Sequence, residues 1–109
     1  MLGAMFAYTV RCAFRDEPTL ERWSAWLLET HLADVCDAGA LRAELVRLDG
    51  ELACEARYLF ASREAFAAYE RDHAPRLRQE GLALFPPEAL GLRYTRSAGE
   101  IRGEAAPRG

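Results

Sequence analysis

Long apolar runs are absent from this chain. No stretch approaches the ~18 consecutive apolar residues that a membrane-spanning helix needs, so no membrane is expected as a partner. Basic tracts are missing as well: 14 Lys+Arg residues lie scattered among 17 Asp+Glu, for a formal net charge of −3 and a pI near 5.4. With no basic run interleaved with aromatics, nucleic acid is not an expected partner either. Cys12, Cys36 and Cys54 are odd in number and form no CxxC pair. That argues for reduced thiols in a cytoplasmic protein, and against a disulfide scaffold or a cysteine zinc site. GxSxG, HExxH, the P-loop and GxGxxG do not occur, so the motifs call for no metal and no cofactor. The opening MLGAMFAYTV has neither a basic n-region nor a long apolar core. It is therefore not read as a signal peptide, and Met1 to Ala4 are read as a lead-in. Isoleucine is absent until Ile101.

What is present fits one compact domain. The 109 residues are 50% hydrophobic and 28% charged, ordinary values for a folded chain. FAYTVRCAF (Phe6 to Phe14) alternates with period two and predicts a strand. Asp16 or Thr19 then caps a helix from about Pro18 to Cys36, stopped at Gly39. ALRAELVRLDGELACEARYLFA reads as a hairpin whose Asp49-Gly50 turn is a two-residue type I′ turn. That turn predicts Leu45 opposite Cys54 and Ala43 opposite Ala56. Ser62 opens a second helix with the apolar stripe Phe66, Tyr69, His73 and Leu77. Pro75 predicts a break in it, and the second piece ends at the Pro86-Pro87 pair. GLRYTR (Gly91 to Arg96) is a short last strand that Ile101 could extend.

The order β-α-β-β-α-β predicts an α+β, ferredoxin-like fold: a four-stranded antiparallel sheet with two helices on one face. The single domain is expected over residues 1–97, with a mobile tail over 98–109. Thr9, Arg11, Arg42, Glu44, Glu55, Arg57, Arg93 and Thr95 occupy the uncovered face. Such a face is either a solvated surface or the interface of a homodimer.

One residue breaks the helix pattern. In WSAWLLETHLADV, an arc of Leu20, Trp23, Leu27, Leu28 and Val35 has His31 near its middle. The predicted faces also send Tyr8, Tyr58, Tyr69 and Tyr94, together with Trp23, His31 and His73, into the layer between helices and sheet. All four tyrosines and both histidines of the chain thus converge. Two accounts stand open: a core in which these groups satisfy one another, or a partly wet pocket with aromatic walls and a few polar groups. In a pocket, His31 and His73 are the candidate general acid/base groups, since an imidazole titrates near neutral pH. Trp23, Tyr8, Tyr58, Tyr69 and Tyr94 are the candidate ligand contacts, and Trp26 is a second candidate for the wall. Arg76 and Arg78 are placed at the mouth, where they would recruit an anion.

The W-x-x-W-L-x-x-x-H helix (Trp23, Trp26, Leu27, His31) and the later Y-x-x-x-H-A-P-R-L-R segment (Tyr69, His73 to Arg78) resemble the family called domain of unknown function 4286, over about Phe6 to Thr95. Ala33 stands where that family often has proline, which implies a longer first helix here. The resemblance implies a dimeric α/β barrel. That group includes cofactor-free oxygenases, cyclases, isomerases and haem-degrading proteins, so it implies a homodimer joined through the exposed sheet face, with each subunit holding a small, largely apolar or aromatic ligand. Haem held by His73 is a further variant. The rival expectation is a non-catalytic ligand-sensing or protein-interaction module.

Overall fold

The computed structural model describes residues 4–109; of the lead-in read from the sequence, Met1 to Gly3 lie outside the described residues. Strand β1 (Phe6–Ala13) comes first, followed by α1 (Glu17–Trp26), a π-helical turn (Leu27–His31) and α2 (Leu32–Asp37). The hairpin β2 (Arg42–Arg47) and β3 (Ala53–Phe60) leads into α3 (Arg63–Asp72), α4 (Ala74–Leu84), the short α5 (Pro87–Leu90) and β4 (Arg93–Glu100). The four strands form one antiparallel sheet in the order β2-β3-β1-β4. This is the ferredoxin-like α+β arrangement expected from the sequence.

Local chemistry places the ends of the elements. Asp16 caps α1, its carboxylate accepting from the Thr19 amide at 2.8 Å, and Ser62 caps α3 by accepting from the Ala65 amide at 3.0 Å. The second helical arm breaks at His73 (φ −129°), two residues before Pro75, whose ring nitrogen has no proton to give the Arg71 carbonyl. Phe6, Tyr8, Cys12 and Phe14 of β1 and Cys54, Ala56, Tyr58 and Phe60 of β3 are buried beneath Leu20, Trp23, Leu27, Val35, Tyr69 and Leu77. Each fully buried side chain of Leu or Phe size contributes about 1.5–3 kcal/mol by leaving water.

Three expectations are corrected. The hairpin register is shifted by two residues: Leu45 faces Ala56 and Ala43 faces Tyr58. A type I′ turn needs positive φ at both central residues. Only Gly50 has it (φ 76°), because no non-glycine residue among those described leaves the negative-φ half. The turn instead spans Asp49 to Leu52, closed by the Leu48 amide on the Ala53 carbonyl, and β1 takes up its far end through the Phe14 amide on the Leu52 carbonyl. An even shift preserves the faces of a strand, so the buried set is unchanged.

The second correction concerns the first helix, which is not α-helical throughout. The Leu32 amide reaches back to the Leu27 carbonyl, five residues away, and the extra residue turns Leu28 out to 65% exposure while Leu32 enters the core. The third is β4, which passes the expected end: Ala98, Gly99 and Glu100 pair with Tyr8, Ala7 and Phe6, and the Ile101 amide donates to the Met5 carbonyl at 2.8 Å. Strand β4 therefore runs to Glu100, past residue 97. One element is additional to the expected set. Helix α5 is a single turn that Pro87 starts, with its φ already helical, and Gly91 ends at φ 70°.

Candidate functional site

Helix α1, the π-helical turn and α4 cross the sheet without filling the space above its centre. A cavity of about 60 Å³ remains, lined by Tyr8, Val10, Trp23, Trp26, Leu27, His31, Ala56, Tyr58, Tyr69, Leu77, Arg78, Gly81, Leu82, Tyr94 and Arg96. Strand alternation supplies its floor: Tyr8 and Val10 from β1, Ala56 and Tyr58 from β3, Tyr94 and Arg96 from β4. The exposed members of the lining, Leu82 and Arg96, mark its mouth.

His31 stands in the wall, the last residue of the π-helical turn. Its ring stacks on Trp26, with centroids 4.7 Å apart and planes 24° apart. Its Nδ1 is buried with no hydrogen-bond partner, alone in that respect among the described residues. Burial holds the imidazole below its ordinary pKa, with the Asp34 carboxylate opposing that shift. His31 is therefore neutral near pH 7. A π-helical turn at this point is informative, because the inserted residue costs a regular hydrogen-bond ladder and such turns concentrate at functional sites.

The tyrosines are held by specific partners. The Trp23 indole N–H donates to the Tyr94 hydroxyl at 3.0 Å, and the Arg78 guanidinium donates to the Tyr8 hydroxyl at 3.1 Å while also bonding Glu70. Tyr8 and Tyr58 stack across the ladder with centroids 5.7 Å apart. Burial pushes the Tyr94 and Tyr69 phenols up to about 12, and Tyr58 is pushed up as well, so all three remain protonated donors at neutral pH. Burial also raises the Cys12 thiol to about 12, beside Tyr94. Cys12, Cys36 and Cys54 are all unpaired thiols in the structure.

The structure thus gathers His31, Trp23, Tyr8, Tyr58, Tyr69 and Tyr94 around one cavity. It does not place His73 or Arg76 there. His73 sits at the α3–α4 break and lines a larger, more open hollow of about 230 Å³ with Asp34, Asp37, Ala38 and Arg76, and Arg76 pairs with Glu80 at 3.6 Å. The proline break is the cause: it swings His73 off the stripe that Tyr69 and Leu77 continue. The hollow is open and carries two aspartates, a lining unlike the apolar walls that a porphyrin face packs against. Among the described residues no group of three or more His, Cys, Asp or Glu side chains is placed to hold a metal ion. Arg96 is the charged lining residue that sequence reasoning passed over. Its signal was its parity with Tyr94, two residues earlier on the same strand.

Over residues 5–95 the chain matches the family described as domain of unknown function (DUF4286). It belongs to that family. No curated protein matches the chain. Several solved structures share its fold. A dimeric ferredoxin-like protein from an uncultured marine organism has 15% identity and a TM-score of 0.70, covering 94% of this chain and 99% of its own. A monooxygenase from the gene ActVA-Orf6 of Streptomyces coelicolor, in complex with nanaomycin D, has 16% identity and a TM-score of 0.74, covering 95% and 93%. A mutant form of SnoaB, a cofactor-independent oxygenase from Streptomyces nogalater, has 16% identity and a TM-score of 0.69, covering 94% and 97%. At these identities the likeness establishes the fold. Among the described residues no helix is long and apolar enough to cross a membrane.

Proposed function

We propose that this protein binds a small, largely apolar or aromatic molecule between its helices and sheet, and that His31 acts on it as a general base. The observation that carries the reading is the buried Nδ1 of His31, left without a partner in a cavity wall. A buried polar atom without a hydrogen bond costs ~1–3 kcal/mol, a cost that a core selected for stability alone would avoid. Rotation of the imidazole toward the cavity would present that nitrogen to a ligand O–H or an acidic C–H, which then gains a hydrogen bond and a base. The neutral state of the imidazole leaves it able to accept the proton.

The tyrosines supply the other half of the chemistry. Once a proton leaves the ligand, negative charge develops on an oxygen or carbon, and hydroxyl donors already in place stabilise it without reorganising. A carbanion stabilised in this way can pass electrons to dioxygen. A ligand CH2 group and one O2 then give a carbonyl and one water, a balanced oxygenation that draws its electrons from the substrate. The oxygenases among the fold neighbours support this class of reaction over a cyclisation or an isomerisation.

The assembly belongs to the same proposal. We place a homodimer contact on the uncovered sheet face, where the Arg42–Glu44 and Arg57–Glu55 pairs flank partly exposed Val46 and Leu59. Light scattering should return twice the 12.2 kDa chain mass. A persistent monomer would remove the dimer.

Oxygen uptake tests the chemistry. Purified protein supplied with phenolic and quinol aromatics in chelator-treated buffer should consume dioxygen, and His31→Gln should not. A crystal soaked with the active compound should show it against Trp23 and His31. Binding without uptake would reduce the protein to a ligand sensor.

A further inference from the structure

The charges around the cavity are lopsided in a way the whole chain is not. The protein has more acids than bases, yet the lining contains two arginines and no carboxylate. Arg78 comes from α4 and is balanced by Glu70, which stands outside the lining. Arg96 comes from β4 and has no ion-pair partner among the described residues; its guanidinium carbon lies over the Tyr94 ring, 5.3 Å from the centroid. Its positive charge acts on Cys12, Tyr58, Tyr69 and Tyr94, favouring the ionised form of each.

The donor pattern points the same way. The Tyr8 oxygen already accepts from Arg78, so its own proton is left to donate. Arg96 faces Val10 in the β1–β4 ladder, one diagonal step from Tyr8 on the same side of the sheet. The β1–β4 side thus offers a hydroxyl proton and an uncompensated guanidinium, while apart from Arg78 and His31 the remaining lining is aromatic, aliphatic or glycine.

We infer that the cavity selects a planar apolar acid, with its ionised oxygen at Arg96 and the Tyr8 hydroxyl and its ring against Trp23, Trp26 and Tyr94. All 14 cations of this chain are arginine, and a guanidinium offers a carboxylate two parallel donors where an ammonium offers a point charge. The inference rests on the pocket proposed above and names the class of ligand that fills it.

Calorimetric titration with 1-naphthoate and its neutral counterpart 1-naphthamide separates the two. The acid should bind about tenfold more tightly than the amide, and added salt should erode that preference. Arg96→Gln should bring the two affinities together, and Arg96→Lys should restore part of the gap; thermal melts of both variants check that the strand still folds. Equal affinities in the wild type would overturn the selection for an acid and leave the pocket standing. A preference that survives Arg96→Gln would overturn the role of Arg96. Failure of both compounds to bind at millimolar concentration would remove the pocket and this inference together.

Discussion

The two histidines of this chain occupy the two irregularities of its helical layer, with opposite results. His31 ends a π-helical turn in which one extra residue is absorbed while the helix runs on. The continuous helix keeps its grip on the sheet, and the widened turn brings the imidazole to the cavity wall. His73 lies at a break set by Pro75, where one helix stops and another starts at a new angle. The break releases the side chain toward a hollow at the surface. Insertion into a helix redirects a residue and keeps it in the packed layer, whereas interruption of a helix lets it out.

The largest expected effect of a substitution is at His31. His31→Leu should lower turnover by about 100-fold or more, the usual reach of a general base. Its melting temperature should hold or rise, because leucine leaves no buried nitrogen unpaired. Acid should separate the two proteins further. The folded-state pKa of His31 lies below its unfolded value near 6.5, so the unfolded chain takes up the proton first. Wild-type stability therefore falls as pH drops below ~6.5 toward the folded-state pKa, and the leucine variant should lack that component. A melting temperature several degrees lower in the variant would mean that Nδ1 has a structural partner.

Deleting the exposed Glu29 is the next step down. Removal of one residue from the π-helical turn allows an ordinary α-helix between Trp26 and Leu32, with the flanking residues in their present phase. The protein should stay folded by circular dichroism and bind its aromatic ligand about tenfold more weakly, as the Trp26–His31 stack is lost. Unchanged affinity would show that the irregularity has no part in the site.

Trp23→Phe sharpens the cavity side of the comparison. The ring is nearly preserved, but the Tyr94 hydroxyl loses its indole donor, which should cost ~1–3 kcal/mol and several degrees in a thermal melt. The smallest effect is expected from His73→Leu. With its side chain at an open hollow, ligand affinity should not change, and a tenfold loss would return His73 to the candidate site.

Much of this was legible in the residues. Period-two runs announced the strands, and Asp16, Ser62 and Pro75 set the helix ends through local hydrogen bonding and ring geometry. Tyr8, Tyr58 and Tyr94 could be assigned to the helix side from alternation alone, since parity needs no knowledge of register. The hairpin shows the limit. Asp49-Gly50 suggested a tight turn, but β1 takes up the Leu52 carbonyl, a partner distant in the chain, and that widens the loop by two residues.

The π-helical turn was invisible for a related reason. LLETH has no proline or glycine to mark it, and an α-helical wheel drawn through Leu27, His31 and Val35 looks sound. What selects the wider turn is the sheet below: Leu32 and Val35 must reach the core there while Leu20 and Trp23 hold theirs, and one extra residue separates the two demands. Sequence alone determined which side chains face the layer between helices and sheet, because alternation and local capping act over a few residues. Only the tertiary structure decided that His31 and Arg96 share a cavity while His73 and Arg76 do not. That outcome depends on how two helices and an edge strand dock on the same sheet, and packing of that range leaves no local mark.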